Sequence, residues 1–488
     1  MPVEKFNLLS FQGKMRTLHF SWVAFFITFV VWFNAAPLMQ AISISLGVSP
    51  KQLVVLATVN VAIAVPARVI IGMLTDKYGP RIMYSLLLIV GSIPCFWFAM
   101  ADSLAEAALA RFFSGFIGAG FVIGIRLVSE WFPANELGTA EGIYGGWGNF
   151  GSAAAAFTLP AIALAFGGED GWRYAVALTG VLSLVFGFVF YANVRDTPKG
   201  STYFKPKSLG AMEVTSVGDL FLLFIMKLPM YICLVLLAWR LSPTGFNMIN
   251  ATFTNIIYGV LLLVLIIDFR QVWLTNRNLF TTPVPELHRY KFKQVAILNV
   301  LYFANFGSEL AVVSVLPLFF AQTFELSPIM AGIIASTHAF LNLVSRPGGG
   351  WLSDKFGRKL TLLILTAGLA LSYLFTSMID ESWSLMFAVM LIMACAFFVQ
   401  AGEGAVFATV PLIKRRLTGQ IAGMTGAYGN VGAVIYLLIL TFVDYSDFFL
   451  VIAGTASLGF ITLLFLAEPK GHITEINEDG SVELIHVG

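Results

Sequence analysis

The sequence predicts an all-α polytopic membrane protein, and composition and the arrangement of apolar residues lead to that prediction. Hydrophobic residues make up 58% of the 488 positions and charged residues only 11%; soluble globular proteins have roughly 45–50% and about 25%. The apolar residues fall in long blocks such as 82–101 and 360–378, and a helix needs about 20 such residues to cross the hydrocarbon core. So few charges could not cover the surface of a soluble domain of this length.

Twelve apolar blocks form two sets of six. The first set lies near 18–40, 52–74, 82–101, 104–126, 138–166 and 174–194. The second lies near 295–322, 328–352, 360–378, 384–412, 419–443 and 448–467. We therefore expect a cytoplasmic N-terminus (1–17), a six-helix bundle (18–194), a central insert (195–294), a second bundle (295–467) and a cytoplasmic polar tail (468–488).

Lysine and arginine residues of the loops collect on one side, which we call the basic side. Lys77 and Lys359 lie there, whereas loops of the opposite side carry mostly acids such as Asp102 and Asp380. Positively charged short loops of membrane proteins face the cytoplasm. We expect the basic side and both termini to be cytoplasmic, in a plasma (inner) membrane.

The central insert contains two further apolar stretches, 220–239 and 251–268, with basic flanks. This pattern favours an extra transmembrane hairpin that leaves and re-enters the basic side, which gives 14 spans in total. A pair of interfacial amphipathic helices is the alternative, because Lys227, Pro229 and Asn255 interrupt the two stretches.

The two halves of the chain repeat each other. Segment 68–79 aligns with 346–357, and in each an arginine precedes an aspartate by eight residues. A row of glycines recurs with the same spacing of four, three, three and three residues: Gly138, Gly142, Gly145, Gly148 and Gly151 match Gly419, Gly423, Gly426, Gly429 and Gly432. Two homologous bundles around a midplane site form the architecture of rocking transporters.

The loop after the second span of each half, 72–79 (GMLTDKYG) and 350–357 (GWLSDKFG), resembles the cytoplasmic loop motif of the major facilitator superfamily. The resemblance implies the major facilitator fold, with 12 core spans. An acid at such a helix end can pair with basic loop residues and helix N-termini, which would make it an inner-gate latch; orientation and solubility alone are the alternative. The predicted latch residues are Gly72, Asp76, Lys77, Gly79, Arg81, Asp354, Lys355, Gly357 and Arg358.

Segments 145–151 (GGWGNFG) and 426–432 (GAYGNVG) resemble the paired glycine motifs of the nitrate/nitrite porter family. Arg68 and Arg346 fall at the two substrate-binding arginines of that family, and Tyr302 at its substrate-contacting tyrosine. The resemblance implies a transporter that imports nitrate and also accepts nitrite. Its expected substrate-binding residues are Arg68, Arg346, Tyr302, Asn149, Asn430, Gly145, Gly148, Gly426 and Gly429.

The chemistry of the two arginines fits this cargo. An arginine within the membrane costs at least about 2.5–3.5 kcal/mol to insert, so it is a functional candidate. Both lie eight residues from the basic end of their spans, about 12 Å along a helix, and planar nitrate suits flat guanidinium groups. Structural arginines paired with buried acids are the alternative, which we disfavour because neither span contains a carboxylate before Asp76 or Asp354.

Glu309 suggests how transport is driven. It lies seven residues after Tyr302 in an otherwise uncharged stretch, and porters without a titratable group in this pathway resemble nitrate/nitrite exchangers. We therefore expect proton-coupled symport with Glu309 as a proton or counter-ion site; a salt bridge to a neighbouring helix is the alternative. Glu403 is a second buried acid and alternative proton site, and Arg111 resembles the fourth-span motif of the superfamily, with a role in gating or proton coupling.

Other functions compete with this hypothesis. A nitrate/nitrite exchanger or a carrier of another small anion would use the same site, and a nitrate sensor or docking subunit would bind without turnover. No clustered nucleophile and base, phosphate loop or metal-ligand spacing indicates an enzyme, so no cofactor or metal is expected. The net charge of +2 gives no indication of nucleic-acid binding. We expect nitrate, protons and membrane lipids as partners of a functional monomer, and the insert as the place for any partner subunit.

Overall fold

The computed structural model describes residues 6–167, 169–206, 210–282, 284–286, 289–476 and 482–486. In this part of the chain the helices form two bundles and an insert. The first bundle contains α1 (Gly13–Trp32), α2 (Met39–Leu46), α3 (Pro50–Tyr78), α4 (Pro80–Ala99), α5 (Leu104–Ser114), α6 (Gly120–Trp131), α7 (Ala134–Phe166) and α8 (Gly171–Asn193). The insert contains α9 (Val217–Leu241) and α10 (Ala251–Asn276). The second bundle contains α11 (Phe292–Thr323), α12 (Pro328–Phe356), α13 (Arg358–Thr376), α14 (Leu385–Thr409), α15 (Thr418–Leu440) and α16 (Tyr445–Leu463).

Thirteen helical segments within the described ranges are long and apolar enough to cross a membrane. Two of the six segments of the first bundle are interrupted: α1 is followed by a 3-10 turn, Ala36–Leu38, and by α2, and α5 joins α6 through a second 3-10 turn, Gly115–Ala119. Helix α12 occupies the position of a fourteenth span and is 29 residues long. It carries the buried polar residues His338, Asn342 and Arg346. These polar residues lower the apolar content of α12, as expected for a helix that faces a polar site.

The two bundles meet through small residues. Helix α3 packs on α15, and α7 packs on α12. At both interfaces the backbones approach closely, because a Cβ atom at Gly72 would overlap the Gly419 carbonyl oxygen and one at Gly350 would overlap that of Gly138. Small residues serve this purpose in membrane helices generally. Since these glycines lie near the Lys77 and Lys355 ends of α3 and α12, the bundles are in contact on the basic side.

The two helices of the insert pack against each other, and α9 contacts α15 and α11 of the second bundle. The Lys227 ammonium lies 2.7 Å from Asp268, and the Tyr231 hydroxyl donates to the same carboxylate at 2.9 Å. The Tyr428 hydroxyl on α15 donates to the Met226 carbonyl at 2.6 Å, which joins α9 to the glycine-rich helix. Lys227, which interrupted the apolar pattern, thus has a partner inside the helix pair.

The tail contains a feature absent from the all-α prediction, a two-stranded hairpin. Strands β1 (His472–Ile476) and β2 (Val482–His486) are antiparallel, whereas the segment between them lies outside the described residues. The hairpin contacts the loop before α15: Lys414 donates to the Thr474 carbonyl at 2.7 Å and lies 3.3 Å from Glu475. The tail is therefore packed on the basic side of the second bundle.

Candidate functional site

Arg68 and Arg346 occupy equivalent places in the two bundles, and each is only 1% exposed. Each side chain extends toward the glycine-rich helix of the opposite bundle. Arg68 donates from Nη1 to the Gly426 carbonyl at 2.7 Å, and a Cβ atom at Gly145 would lie 2.5 Å from Arg346 Nε. Gly145 and Gly426 thus leave room for the two arginines between the bundles.

Aromatic rings surround the two guanidinium groups. The ring of Phe121 lies 5.8 Å from Arg68 Cζ and 5.1 Å from Arg346 Cζ, so the two arginines share it. Phe306 lies 5.0 Å from Arg68 and stacks on Tyr302, while Phe407 packs edge-on against Tyr302. Ring faces attract cations while excluding water. None of these phenylalanines was predicted from the sequence. Only Phe306 had a signal, because it lies one helical turn after Tyr302 and therefore on the same face of α11.

Tyr302 lies where the resemblance predicted, beside one of the arginines. Its hydroxyl accepts a hydrogen bond from Arg346 Nη2 at 3.2 Å, and the side chain is fully buried. The hydroxyl proton therefore remains available to donate to a bound anion, since a phenol both accepts and donates.

The two arginines differ in their electrostatic partners. Arg346 Nη1 lies 2.5 Å from Glu403 Oε2. Among the described residues no carboxylate forms an ion pair with Arg68, and its Nε has no hydrogen-bond partner. Arg346 therefore has a buried acidic partner, contrary to the expectation from its own span, because the acid comes from α14.

Glu309 and Glu403 lie side by side. Glu309 Oε1 accepts from Asn342 Nδ2 at 2.5 Å and from Gln400 Nε2 at 3.3 Å, and its carboxyl group interacts directly with that of Glu403. The remaining oxygens, Glu309 Oε2 and Glu403 Oε1, have no donor among the described residues. Two neighbouring carboxyl groups cannot both ionise without an electrostatic cost.

The two asparagines of the glycine motifs are buried with unpaired amide atoms. Asn430 is fully buried, and neither atom of its amide has a partner within the described ranges; the same holds for Oδ1 of Asn149. Buried polar atoms are normally paired, so unpaired ones on both glycine-rich helices and at Arg68 Nε make these residues candidates for contact with a small polar ligand.

Two of the predicted substrate-binding glycines pack against aromatic rings. A Cβ atom at Gly429 would lie 2.8 Å from the Tyr302 ring, and one at Gly148 would overlap the Phe25 ring. These two glycines let α11 and α1 approach the glycine-rich helices, and their described contacts are to rings.

Asp76 and Asp354 bind the N-terminal turns of the opposite bundle. Asp76 accepts from the amides of Gly419 and Gln420 at 2.7 and 2.8 Å, where α15 begins. Asp354 accepts from the amides of Gly138 and Thr139 at 2.8 and 2.6 Å, in the first turns of α7. A helix N-terminus stabilises a carboxylate through its free amides and its dipole. The two contacts are equivalent, and both join the bundles on the basic side.

Arginines and glycines complete these contacts. Arg126 Nε lies 3.4 Å from Asp76, and Arg358 Nη1 lies 2.7 Å from Asp354. Gly79 and Gly357 end the two helices with φ of 90° and 95°, a left-handed conformation that favours glycine. Arg126 was not among the predicted latch residues, although its place in an apolar span is itself a signal.

Three of the predicted basic residues lie away from the aspartates. The ammonium groups of Lys77 and Lys355 lie over the rings of Tyr78 and Trp351, at 5.2 and 4.7 Å from their centroids. Arg81 donates from Nε to the Tyr191 carbonyl at 2.8 Å, within the first bundle.

Arg111 binds the end of α1. It donates to Asn34 Oδ1 at 2.9 Å and to the Trp32 carbonyl at 2.8 Å, where α1 ends. These contacts lie within the first bundle, whereas Glu309 and Glu403 belong to the second. The geometry therefore relates Arg111 to the break after α1 more directly than to the glutamate pair.

Comparison with known proteins identifies similar chains. The family model of the Major Facilitator Superfamily matches residues 21–272 and 298–485. The chain is 47% identical over 523 residues to the nitrate/nitrite transporter NrtP of Picosynechococcus sp., covering 98% of this chain and 97% of that protein. It is 44% identical to the protein of the same name from Nostoc punctiforme, with 98% and 97% covered.

Solved structures agree in fold. A crystal structure of a double tryptophan mutant of XylE superimposes with a TM-score of 0.66 over 95% of this chain and 98% of that one, at 14% sequence identity. At this identity the likeness concerns the fold alone.

Proposed function

Since this chain belongs to the nitrate/nitrite porter family of the major facilitator superfamily, we propose that it imports nitrate, and also nitrite, by alternating access with proton symport. The observation that carries the proposal is the pair of buried arginines between the bundles. One of them, Arg68, has no acidic partner within the described ranges, so a small anion would supply the missing negative charge.

Nitrate fits the surroundings of this charge. The anion is planar, so it can lie against a flat guanidinium group and accept two parallel hydrogen bonds. Its remaining oxygens would accept from Nδ2 of Asn430, which has no partner among the described residues, and from Nδ2 of Asn149, its counterpart in the first bundle. The shared Phe121 ring and the other aromatic walls exclude water, which favours a weakly hydrated anion over a strongly hydrated one.

Coupling to protons would arise at Arg346. The Arg346 guanidinium is compensated by Glu403, so nitrate and the carboxylate would compete for the same cation. When Glu403 takes up a proton, Arg346 becomes available and nitrate binds; when the proton leaves, the carboxylate returns and nitrate is expelled. Proton and nitrate therefore bind together, which is the thermodynamic condition for symport.

The membrane potential makes such coupling useful. Moving one anion inward against an inside-negative potential costs about 2.3 kcal/mol per 100 mV. One accompanying proton cancels this cost, and a second one lets the potential drive uptake. Adjacent Glu309 provides a second titratable group within the same cluster.

The remaining expectations form part of the same proposal. The basic side and both termini face the cytoplasm, so the contacts of Asp76 and Asp354 close an inner gate. The insert spans the membrane as a hairpin, with Lys227 and Asp268 paired inside it. We likewise propose a plasma-membrane location and a monomeric state. The proposed division of the chain is into segments 1–17, 18–194, 195–294, 295–467 and 468–488.

Labelled nitrate uptake into proteoliposomes tests this function. We expect an inward proton gradient to drive accumulation in wild type, and Arg68→Lys and Arg346→Lys to reduce it at least about tenfold, because lysine keeps the charge but loses the planar donor pair. Uptake that requires internal nitrite and ignores the gradient would establish exchange instead of symport. Absence of nitrate flux under both conditions would contradict the proposal.

A further inference from the structure

A third buried carboxyl group lies between the arginines and the inner gate. Glu141 is on α7, one turn before Gly145 on the same helical face, and is 1% exposed. Neither of its carboxylate oxygens has a hydrogen-bond partner among the described residues. An ionised carboxylate without donors is very costly in such a place, whereas the neutral acid is tolerated.

The basic residues around Glu141 already have acidic partners. Within the described residues, the charged groups that interact with Glu141 are Arg415, in the loop before α15, and Arg346 on α12. Tyr144, on the same helix as Glu141, is a further titratable neighbour. Among the described residues, the neighbouring helices α1, α6, α8 and α14 contribute no titratable group that interacts with Glu141. Arg346 is paired with Glu403, and Arg415 Nε lies 3.6 Å from Glu130. Glu141 is therefore not needed as a counter-charge in this conformation.

The surroundings of Glu141 depend on contact between the bundles. A Cβ atom at Gly142, the next residue, would lie 2.6 Å from the Arg346 carbonyl oxygen on α12. Opening of the inner gate separates α7 from α12 and admits water. The conditions that keep Glu141 neutral are thus present with the gate closed and removed when it opens.

We propose that Glu141 is the proton-release site on the cytoplasmic side: it holds a proton while the inner gate is closed and gives it to water when the gate opens. This rests on the proposed proton symport. Ionised Glu141, beside Arg415, then takes the proton of the Glu309–Glu403 pair, so that Glu141 is neutral again before the gate closes. The restored Glu403 carboxylate then compensates Arg346, so the carrier returns empty. Position 422, the counterpart in the glycine repeat of the second bundle, is an alanine, so only one half supplies such a group.

The test measures two fluxes in the same proteoliposomes, which contain a pH-sensitive dye. One is internal acidification evoked by external nitrate, and the other is exchange of labelled for unlabelled nitrate. We expect Glu141→Gln, which mimics the neutral acid, to keep exchange within about twofold of wild type and to lose acidification at least about tenfold. Glu141→Asp keeps a titratable group and should restore acidification, and Glu136→Gln, on the same helix, is the matched control and should match wild type.

The outcomes separate this inference from the function on which it rests. Wild type without nitrate-evoked acidification would contradict the symport itself. Acidification in wild type that persists unchanged in Glu141→Gln would overturn the role of Glu141 alone. Loss of exchange together with acidification in Glu141→Gln would also overturn it, because the residue would then serve nitrate binding or folding.

Discussion

Arg346 and Glu403 form a buried ion pair at 2.5 Å, and among the described residues no carboxylate forms such a pair with Arg68, the matching arginine of the first bundle. The described contacts of the Arg68 guanidinium are instead with the Gly426 carbonyl at 2.7 Å and with aromatic rings, Phe306 at 5.0 Å among them. The repeat is symmetric in its arginines and asymmetric in its acids. In the proposed mechanism Arg68 attracts the anion at all times, while a proton on Glu403 regulates Arg346.

The room beside Arg346 depends on Gly145. A methyl group in Gly145→Ala would lie 2.5 Å from Nε, whereas one in Gly426→Ala would lie 3.2 Å from Arg68 Cδ. Displacing the guanidinium from its partners loses charged hydrogen bonds worth about 1.5–3 kcal/mol. We expect the KM for nitrate to rise about tenfold or more in Gly145→Ala and much less in Gly426→Ala. Equal effects in uptake assays would show that both substitutions act through general packing.

Glu309→Gln distinguishes the two acids as proton sites. The substitution removes one acid and leaves the Arg346–Glu403 ion pair in place, so the carboxylate that competes with nitrate for Arg346 is kept. We expect gradient-driven uptake to persist in Glu309→Gln and to be lost in Glu403→Gln. Measuring initial uptake rates under an imposed pH gradient tests this, and complete loss of net uptake in Glu309→Gln with exchange preserved would instead make Glu309 the coupling residue.

The two aspartates should control opening of the inner gate independently. Asp76→Asn and Asp354→Asn each weaken carboxylate contacts to a helix N-terminus, which are worth about 1 kcal/mol. We expect each variant to widen the distance distribution between spin labels at positions 78 and 356, at the ends of α3 and α12, and the double variant to widen it further. Unchanged distributions would exclude a latch and leave these residues with an orienting role.

The insert should depend on its internal ion pair. Lys227→Met leaves Asp268 without its cationic partner, and breaking a buried pair by removing one member is costly. We expect Lys227→Met to lower the free energy of unfolding in detergent by about 1–3 kcal/mol, and Lys227→Met/Asp268→Leu to recover most of that loss. A double variant that is as unstable as the sum of the single ones would contradict the pairing.

The sequence alone predicted those features that repeat or follow a local pattern. The arginines, the asparagines and the aspartates stand in matching places of two halves, so comparing the halves was enough to find them. Glu403 as the partner of Arg346 could not be found in this way, because the contact joins α12 to α14 and requires the packing of the bundle. The contact of Phe121 with both arginines could not be predicted for the same reason, because a phenylalanine in an apolar helix has no distinguishing sequence pattern.

Lys227 shows why a local pattern left two alternatives open for the insert. A charge within an apolar stretch is typical of an interfacial helix when read alone. Its partner Asp268 is 41 residues away, and only the pairing of α9 with α10 brings the two together. The tail hairpin was likewise missed, because short polar strands in a helical membrane protein leave little signal.

The pH dependence of nitrate binding tests the central claim, competition between nitrate and Glu403 for Arg346, most directly. The dissociation constant of nitrate would be measured at equilibrium in detergent across pH for wild type and Glu403→Gln. Linked binding of one proton predicts that wild-type affinity falls by up to about tenfold per pH unit on the alkaline side, while Glu403→Gln binds tightly at every pH. Parallel pH profiles in the two proteins would contradict the account.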